Sequence, residues 1–223
     1  MNEMNSAGVA LDHSARMERY YRLHAKIYDA TRWSFLFGRK TIIQQVAAIT
    51  QPANILEIGC GTGKNLLTLA QTFPQAKLSG LDISESMLKV AAKNLGARLG
   101  SVELLHRVYD RPLHPAPHFD LILCSYSLSM INPDWPKVIQ YAKADLKPGG
   151  FMAVVDFHNS ALSLFKRWMG VNHVRMEGHL LPALAGDFQP QYLATPPAYG
   201  GLWQYFLFVG LKKPPSPGKT AMS

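Results

Sequence analysis

Three glycines, Gly59, Gly61 and Gly63, stand at alternate positions directly after the apolar segment "NILEI". Glycine allows both a tight main-chain turn and the close approach of a ligand to bare backbone. An apolar run, a glycine loop and the helix-like segment "KNLLTLAQTF" follow one another here, which indicates a strand, a turn and a helix. We therefore predict a ligand-binding loop over residues 59–63.

Two common phosphate-binding patterns do not fit this loop. A phosphate-binding loop has a glycine five residues before its Gly-Lys pair and Ser or Thr after it, whereas this chain has Ile58 and Asn65 there. The dinucleotide fingerprint has its third glycine three residues after the second, where this chain has Lys64. The loop therefore favours a ligand with no diphosphate to hold.

Two carboxylates accompany the loop. Glu57 precedes it, and Asp82 lies about 20 residues further on in "LDIS", at the end of the next apolar segment, where an acid can bind ribose hydroxyls. An acidic lining without a phosphate clamp suits a positively charged nucleoside. S-adenosylmethionine, a sulfonium with an amino acid tail, is such a ligand.

Alternating strand-like and helix-like segments position these residues. Strands are predicted over residues 54–59, 77–83, 101–108, 119–126 and 151–157, the last after a "KPGG" turn. Helices are predicted over residues 14–31, 39–50, 64–73, 84–96 and 134–146. The last third adds short helices over residues 162–170 and 179–186 and strands over residues 189–195 and 201–213. The pattern predicts an α/β fold, a Rossmann-like doubly wound, mostly parallel sheet with a C-terminal antiparallel hairpin.

The composition limits the class of protein. The chain has 223 residues, 48% of them hydrophobic, which suits one α/β domain better than two. No apolar run reaches the roughly 18 residues needed to span a bilayer, and the N-terminus lacks a secretory signal, which favours a cytoplasmic protein. Cys60 and Cys124 are too few for a disulfide framework, and the sequence has no cluster of metal ligands.

Four segments, "LEIGCGTGKN", "LDISESML", "FDLILCSYSLSM" and "LKPGGFMAVVDF", together resemble the sequential motifs of class I S-adenosylmethionine-dependent methyltransferases. The resemblance covers about residues 54–157 and implies a methyltransferase domain over residues 51–212. It also implies that the glycines pass the methionine part of the cofactor, that Asp82 holds the ribose and Ile83 packs on the adenine. The predicted cofactor-binding residues are Arg39, Glu57, Gly59, Gly61, Gly63, Asn65, Asp82, Ile83, Met87, Asp110 and Ser125.

One of these residues departs from the family pattern. Family members usually carry an acid that touches the adenine amine, and here Asp110 in "HRVYD" comes slightly late for that contact. Ser125, in contrast, follows its strand directly, where the resemblance places it under the methionine end of the cofactor.

The segments "YYRLHAKIYDATRWSFLFGRK", "CSYSLSMI", "VVDF" and "NHVRMEGHLLPAL" are similar to bacterial betaine-lipid N-methyltransferases. This resemblance implies an enzyme that trimethylates the amine of diacylglyceryl-homoserine. Aromatic faces accommodate cationic amines, and we predict Tyr21, Tyr28 and Tyr126 as the catalytic residues that line the acceptor site. Tyr20, Trp135 and Trp203 are further aromatic candidates.

Three other side chains have candidate roles if the acceptor is this homoserine lipid. A guanidinium pairs with a carboxylate in a bidentate fork, so Arg39 would bind the carboxylate of the cofactor or that of the homoserine headgroup. Methyl transfer from a sulfonium does not require a dedicated base. If a base is used, His24 or His158 would supply it.

A lipid acceptor requires contact with a membrane. The predicted helix over residues 14–31 has a basic face opposite an aromatic and aliphatic one, as interfacial helices do, although an ordinary surface helix can look the same. The net charge of +8 attracts anionic surfaces. We therefore expect residues 1–50 to form a lid that contacts the membrane, and peripheral association of the chain with its inner face. Residues 213–223 are predicted to be a disordered tail.

The expected partners are the homoserine lipid, an anionic membrane surface and the enzyme that makes this lipid. Two other functions stay open. The acceptor could instead be phosphatidylethanolamine, a quinone precursor or a small metabolite. The chain could also be a non-catalytic module that binds the cofactor or nucleic acid, although it has no stacked-aromatic RNA motif or helix-turn-helix signal, so no specific nucleic acid is expected.

Overall fold

The computed structural model describes residues 36–160, 167 and 176–213. The helix predicted over residues 14–31, all but one residue of the helix predicted over residues 162–170, and the tail after residue 213 lie outside the described residues. The predicted lid over residues 1–50 is described only from residue 36 onward.

Strands and helices alternate through the middle of the chain as predicted. The helices are α1 Arg39–Ile49, α2 Lys64–Thr72, α3 Glu85–Leu95, α4 Trp135–Asp145 and α5 Leu180–Asp187. The strands are β1 Asn54–Ile58, β2 Lys77–Asp82, β3 Val102–His106, β4 Phe119–Ser125, β5 Leu146–Asn159, β6 Phe188–Ala194, β7 Pro197–Ala198 and β8 Trp203–Lys212. Short 3-10 helices cover Gly96–Ser101, Leu128–Met130 and Tyr199–Gly201.

One mixed sheet contains all of these strands, in the order β3-β2-β1-β4-β5-β8-β6, with β7 paired to β8. The pairs from β3 to β5 are parallel, whereas β8 runs antiparallel to β5, β6 and β7. The predicted doubly wound sheet with a C-terminal antiparallel hairpin is therefore confirmed. The order of the strands reverses between β1 and β4, and open α/β sheets bind ligands at such a point, beyond the carboxyl ends of the strands.

The fifth strand begins earlier than predicted. We expected β5 to start at Phe151 after the "KPGG" turn, but Leu146 already pairs with Phe119 of β4. The register shifts between Phe119 and Leu121, and Gly149 has a φ of 77°. The turn is therefore accommodated as an irregularity inside the strand, because glycine adopts this left-handed conformation without strain.

Helices pack on both faces of the sheet. Apolar side chains of α1, α2 and α3, such as Ile42, Leu66 and Leu88, form one core with the first face. Side chains of α4 and α5, such as Val138 and Leu184, form a second core with the other face. Within the described ranges, none of the helices combines the length and apolarity that crossing a membrane requires.

Candidate functional site

The glycine loop joins β1 to α2 at the carboxyl edge of the sheet. Gly59, Gly61 and Gly63 have φ values of 73°, 52° and 75°, a left-handed region that side chains rarely occupy. A Cβ on Gly59 would lie 2.7 Å from the Cβ of Ser127, and one on Gly63 would lie 3.1 Å from the Cβ of Ala91. A Cβ on Gly61 would meet nothing within 4 Å. Two of the glycines therefore allow close packing of the protein, and Gly61 borders open space.

Asp82 holds the loop against the end of β2. Its Oδ2 accepts a hydrogen bond of 2.8 Å from the Gly61 N–H, and its Oδ1 accepts one of 2.9 Å from the Ser84 N–H. Ser84 in turn caps α3 by accepting the Met87 N–H. Since a carboxylate can accept about four hydrogen bonds, holding the loop is compatible with the predicted contact of Asp82 with ribose.

Glu57 lies beneath the loop and is only 1% exposed. Asn65 Nδ2 donates a hydrogen bond of 2.6 Å to Glu57 Oε1, and Arg39 Nε donates one of 2.8 Å to Asn65 Oδ1. Glu57 Oε2 is buried and has no hydrogen-bond partner among the residues that the structure describes. Burial raises the pKa of Glu57 to about 8, in part offset by the Asn65 hydrogen bond and the nearby Arg39 charge.

Beside the loop, β4 ends at Ser125, and the next residue turns the chain. Tyr126 has a φ of 55°, its hydroxyl donates a hydrogen bond of 2.9 Å to the Phe37 carbonyl, and its ring is 3% exposed. Burial raises the pKa of Tyr126 well above its ordinary value. Tyr126 thus ties the start of α1 to β4, and its predicted role at the acceptor stays a prediction.

Four aromatic side chains, Phe37, Tyr199, Trp203 and Tyr205, form what we call the aromatic wall. The ring centroid of Phe37 lies 5.3 Å from that of Tyr199, 5.9 Å from that of Trp203 and 6.0 Å from that of Tyr205. Trp203 is fully buried, whereas Phe37 is 37% exposed and Tyr199 is 51% exposed. The wall therefore has a buried base and an exposed rim next to Tyr126.

The other predicted cofactor contacts, Ile83, Met87 and Asp110, follow β2 and β3 in the chain. The Ile83 carbonyl accepts a hydrogen bond of 3.0 Å from His106 Nε2, and Met87 is buried in the first turn of α3. Asp110 is exposed on the loop after β3 and lies 3.9 Å from Arg107 and 4.0 Å from Arg111. Ile83 and Met87 therefore lie close to Asp82 in the chain and in space, and the contact predicted for Asp110 stays a prediction.

Other candidates are not brought together with this site. Tyr21, Tyr28 and His24 lie outside the described residues. His158 packs against Phe206 on the α4 face of the sheet, and burial lowers its pKa. Trp135 also packs on that face, next to His179. Over residues 36–160 and 176–213, no three His, Cys, Asp or Glu side chains are grouped so that they could hold a metal ion.

The sequence analysis missed the aromatic wall as a unit. Trp203 was a candidate, but Phe37, Tyr199 and Tyr205 were not, because the wall joins residues that are more than 160 positions apart in the chain. The clusters "WSFLFG" and "AYGGLWQYF" were the available signal. The two clusters could be joined into one wall only with the knowledge that α1 packs against β8.

Comparison with known proteins supports an assignment of the central segment. Residues 55–150 match the family described as "Methyltransferase domain". The chain is 28% identical over 164 residues to a demethylmenaquinone methyltransferase of Geobacillus kaustophilus, covering 70% of each chain. It is 31% identical over 143 residues to a trans-aconitate 2-methyltransferase of Deinococcus radiodurans, covering 62% of this chain but only 46%, less than half, of that relative.

The fold is also that of a solved methyltransferase. The 1,6-didemethyltoxoflavin-N1-methyltransferase of Burkholderia thailandensis, crystallised with 1,6-didemethyltoxoflavin and S-adenosylhomocysteine, superposes with a TM-score of 0.71. The sequence identity is 16%, and the match covers 91% of this chain and 90% of that one. Residues 55–150 therefore match a methyltransferase domain in sequence, and the chain shares its fold with a methyltransferase that was solved with S-adenosylhomocysteine.

Proposed function

We propose that this methyltransferase transfers methyl groups to an amine, and that its acceptor is the amine of diacylglyceryl-homoserine, which three transfers convert into a betaine lipid. The observation that carries the proposal is the aromatic wall, which stands beside the cofactor loop at the carboxyl edge of the sheet. A cationic amine is attracted to aromatic faces within about 6 Å, by roughly 2 kcal/mol when desolvated. The amine attacks in its neutral form, each transfer places a positive charge on the nitrogen, and the third leaves a permanent quaternary ammonium, so the wall would face a cation after every transfer.

The geometry ties the wall to the cofactor loop. Tyr126 follows β4, and its hydroxyl donates to the Phe37 carbonyl. Its ring lies 4.7 Å from that of Phe157, which lies 5.1 Å from that of Trp203. Because β4 pairs with β1 directly before the glycine loop, a ligand against the wall would reach the same crevice as the cofactor.

The residues of the loop fit the cofactor. S-adenosylmethionine supplies, when bound, an activated methyl group on a sulfonium. Gly61 leaves room at the backbone, Asp82 would accept the ribose hydroxyls, and the unpartnered Oε2 of Glu57 suits the ammonium of the amino acid tail. Each of these groups is an acceptor or an open surface, as a cationic nucleoside requires.

The chain's contribution to methyl transfer is then alignment and exclusion of water. An in-line displacement proceeds once the nucleophile and the methyl carbon are held in contact with the correct orientation. The buried base of the wall, formed by Trp203 and backed by Phe157, keeps water from one side of that contact. His158 is not needed for this step, since the aromatic wall and His158 belong to opposite faces of the sheet.

A lipid acceptor also requires the crevice to open at a membrane. Phe37 and Tyr199 are half-exposed at the rim of the wall, and Lys40, the second residue of α1, is exposed. Aromatic and basic side chains of this kind favour the interface of an anionic bilayer. We propose that this rim, with the N-terminal segment before residue 36, contacts the inner face of the membrane, where the enzyme that makes the homoserine lipid would deliver the acceptor.

A quinone precursor is the second candidate acceptor. The similarity to a demethylmenaquinone methyltransferase over 70% of both chains favours it, and an aromatic wall can also stack against a quinone ring.

The test is methyl transfer from labelled S-adenosylmethionine to a panel of acceptors. Vesicles would contain diacylglyceryl-homoserine, phosphatidylethanolamine or demethylmenaquinone, and trans-aconitate would be offered in solution. We expect label in the homoserine lipid, with mono-, di- and trimethylated products seen by mass spectrometry. Label in demethylmenaquinone alone would refute the amine acceptor. Label in phosphatidylethanolamine alone would keep an amine acceptor but refute the homoserine headgroup.

A further inference from the structure

We propose that Arg39 and Asn65 are positioning residues for the amino acid tail of the cofactor and that they act through Glu57. The proposal goes beyond the assignment of a cofactor loop, but it rests on S-adenosylmethionine binding there. Its basis is a chain of two hydrogen bonds that ends at a buried carboxylate with one oxygen unsatisfied.

Arg39 fixes the direction of these two hydrogen bonds. An arginine side chain has only donors, so the atom of Asn65 that meets Arg39 Nε at 2.8 Å must be the amide oxygen. The amide nitrogen of Asn65 then faces Glu57 and donates to Oε1 at 2.6 Å. With the amide reversed, a nitrogen would face the guanidinium and an oxygen would face the carboxylate, and both contacts would be repulsive.

The hydrogen bond from Asn65 determines which oxygen of Glu57 a ligand can meet. Oε1 is held by Asn65, so the carboxylate plane is fixed and Oε2 is the acceptor left for a ligand. An unsatisfied buried acceptor costs about 1–3 kcal/mol. Sites where such an atom is retained commonly satisfy it with a ligand, and the ammonium of an amino acid tail is a donor of the matching charge.

The groups that face Glu57 agree with a cationic ligand. Arg39 of α1 favours the carboxylate form of Glu57, and Asp82 of β2 opposes it. The two nearby thiols are Cys60 of the loop and Cys124 of β4, and burial raises the pKa of each above its ordinary value, so both stay uncharged. Arg39 is thus the one positive neighbour that acts on Glu57 in the described part of the chain.

Arg39 is itself placed by the acceptor side of the site. Gly38 has a φ of 74°, and a Cβ there would lie 2.6 Å from the ring of Tyr205. Phe37 packs in the aromatic wall and accepts the Tyr126 hydroxyl through its carbonyl. Phe37 and Gly38 therefore contact the aromatic wall, and the next residue, Arg39, is linked to Glu57 through the hydrogen bonds of Asn65.

The test compares two ligands that differ in the amino acid tail. S-adenosylhomocysteine carries the tail, and 5′-methylthioadenosine lacks it. We would measure both dissociation constants by calorimetry for the wild type, Asn65→Leu, Arg39→Ala and Arg39→Lys. Lys40→Ala controls for the loss of a positive charge at the start of α1. Asn94→Leu controls for the loss of a side-chain bond to the same loop, since Asn94 donates to the Thr62 carbonyl.

We expect Asn65→Leu and Arg39→Ala to weaken S-adenosylhomocysteine binding by about tenfold or more, the size of a lost hydrogen bond to a charged group. Binding of 5′-methylthioadenosine should change by less than about twofold, because that ligand does not reach Glu57. Arg39→Lys should recover part of the loss, since lysine is also a donor. The two control variants should not separate the two ligands.

Two outcomes would overturn the proposal. Equal weakening of both ligands would mean that Arg39 and Asn65 support the fold of the loop and not the tail. Unchanged binding of S-adenosylhomocysteine would mean that Glu57 needs no support from them. A wild-type protein that binds neither ligand would instead refute the cofactor assignment on which the proposal rests.

Discussion

Replacement of Glu57 by glutamine should stabilise the ligand-free protein, and the gain should grow with pH. Burial raises the pKa of Glu57 from 4.5 to about 8. A carboxyl group whose pKa is raised by folding contributes its stability below the unfolded pKa, and this contribution is lost as the pH rises toward the folded pKa. The free energy of unfolding of the wild type should therefore fall between pH 4.5 and about pH 8 because of this residue. Glutamine cannot ionise, and its amide oxygen can still accept the bond from Asn65.

The magnitude follows from the two pKa values. The interval from 4.5 to about 8 corresponds to on the order of 5 kcal/mol for the complete titration, at about 1.4 kcal/mol for each tenfold step. Between pH 5 and pH 7.5 the same linkage gives a change of about 3 kcal/mol in the difference between variant and wild type. This is an upper limit, since water can enter the site when the carboxylate ionises.

The assay is urea denaturation of the cofactor-free protein at several pH values between 5 and 7.5, with a reductant to protect both thiols. Subtracting the wild-type free energy of unfolding from that of Glu57→Gln removes the contributions of the other titrating groups. Glu103→Gln, at an exposed glutamate on β3, is the matched control for the loss of a carboxylate. Parallel pH profiles for Glu57→Gln and the wild type would refute the account of Glu57 as a buried, unsatisfied acid.

Three further predictions follow from the same geometry. Asp82→Ala removes the acceptor of the Gly61 and Ser84 N–H groups and the predicted ribose contact. Titration should therefore show that S-adenosylhomocysteine binding is weakened by about tenfold or more. Unchanged affinity would contradict the assignment of Asp82 to the ribose. Gly63→Ala forces a side chain to a φ of 75° and places its Cβ 3.1 Å from that of Ala91, so thermal unfolding should show a loss of about 1–3 kcal/mol, whereas Gly100→Ala, which meets open space, should lose little. Deletion of residues 1–30 should abolish methylation of vesicle-embedded acceptor and leave calorimetric cofactor binding intact; full activity on vesicles would remove the lid and membrane roles of this segment.

The order of the elements could be predicted from the sequence because each one carries a local signal. Gly63 ends the loop before α2, Ser84 caps α3, and Gly96 ends it with a φ of 52°. Strand and helix alternation then leaves few arrangements other than a parallel sheet. The start of β5 could not be predicted in this way, because the pairing of Leu146 with Phe119 depends on β4 and not on the "KPGG" segment itself.

The candidate site was only partly predictable. The loop glycines, Glu57 and Asp82 form a motif whose spacing indicates a ligand-binding loop. The structure places all of them at one edge of the sheet. Asn65 was predicted as a cofactor residue, but its bonds to Arg39 and Glu57 join positions that only the packing of α1 on α2 brings together. Side-chain contacts between distant segments have no local signature in the sequence.

Glu57 therefore has opposite effects on folding and on ligand binding. In the ligand-free protein a buried acid with one unsatisfied oxygen lowers stability as the pH approaches neutrality. When a cationic tail binds, the same oxygen gains a charged donor and the carboxylate form becomes favourable, so binding near neutral pH should release about one proton from Glu57. If Glu57 had no part in ligand binding, replacing it with glutamine would stabilise the ligand-free and the ligand-bound protein alike. Glu57→Gln should instead stabilise the ligand-free protein and weaken its binding of S-adenosylhomocysteine, and a variant that bound this ligand as tightly as the wild type does would show that the buried carboxylate does not serve the tail.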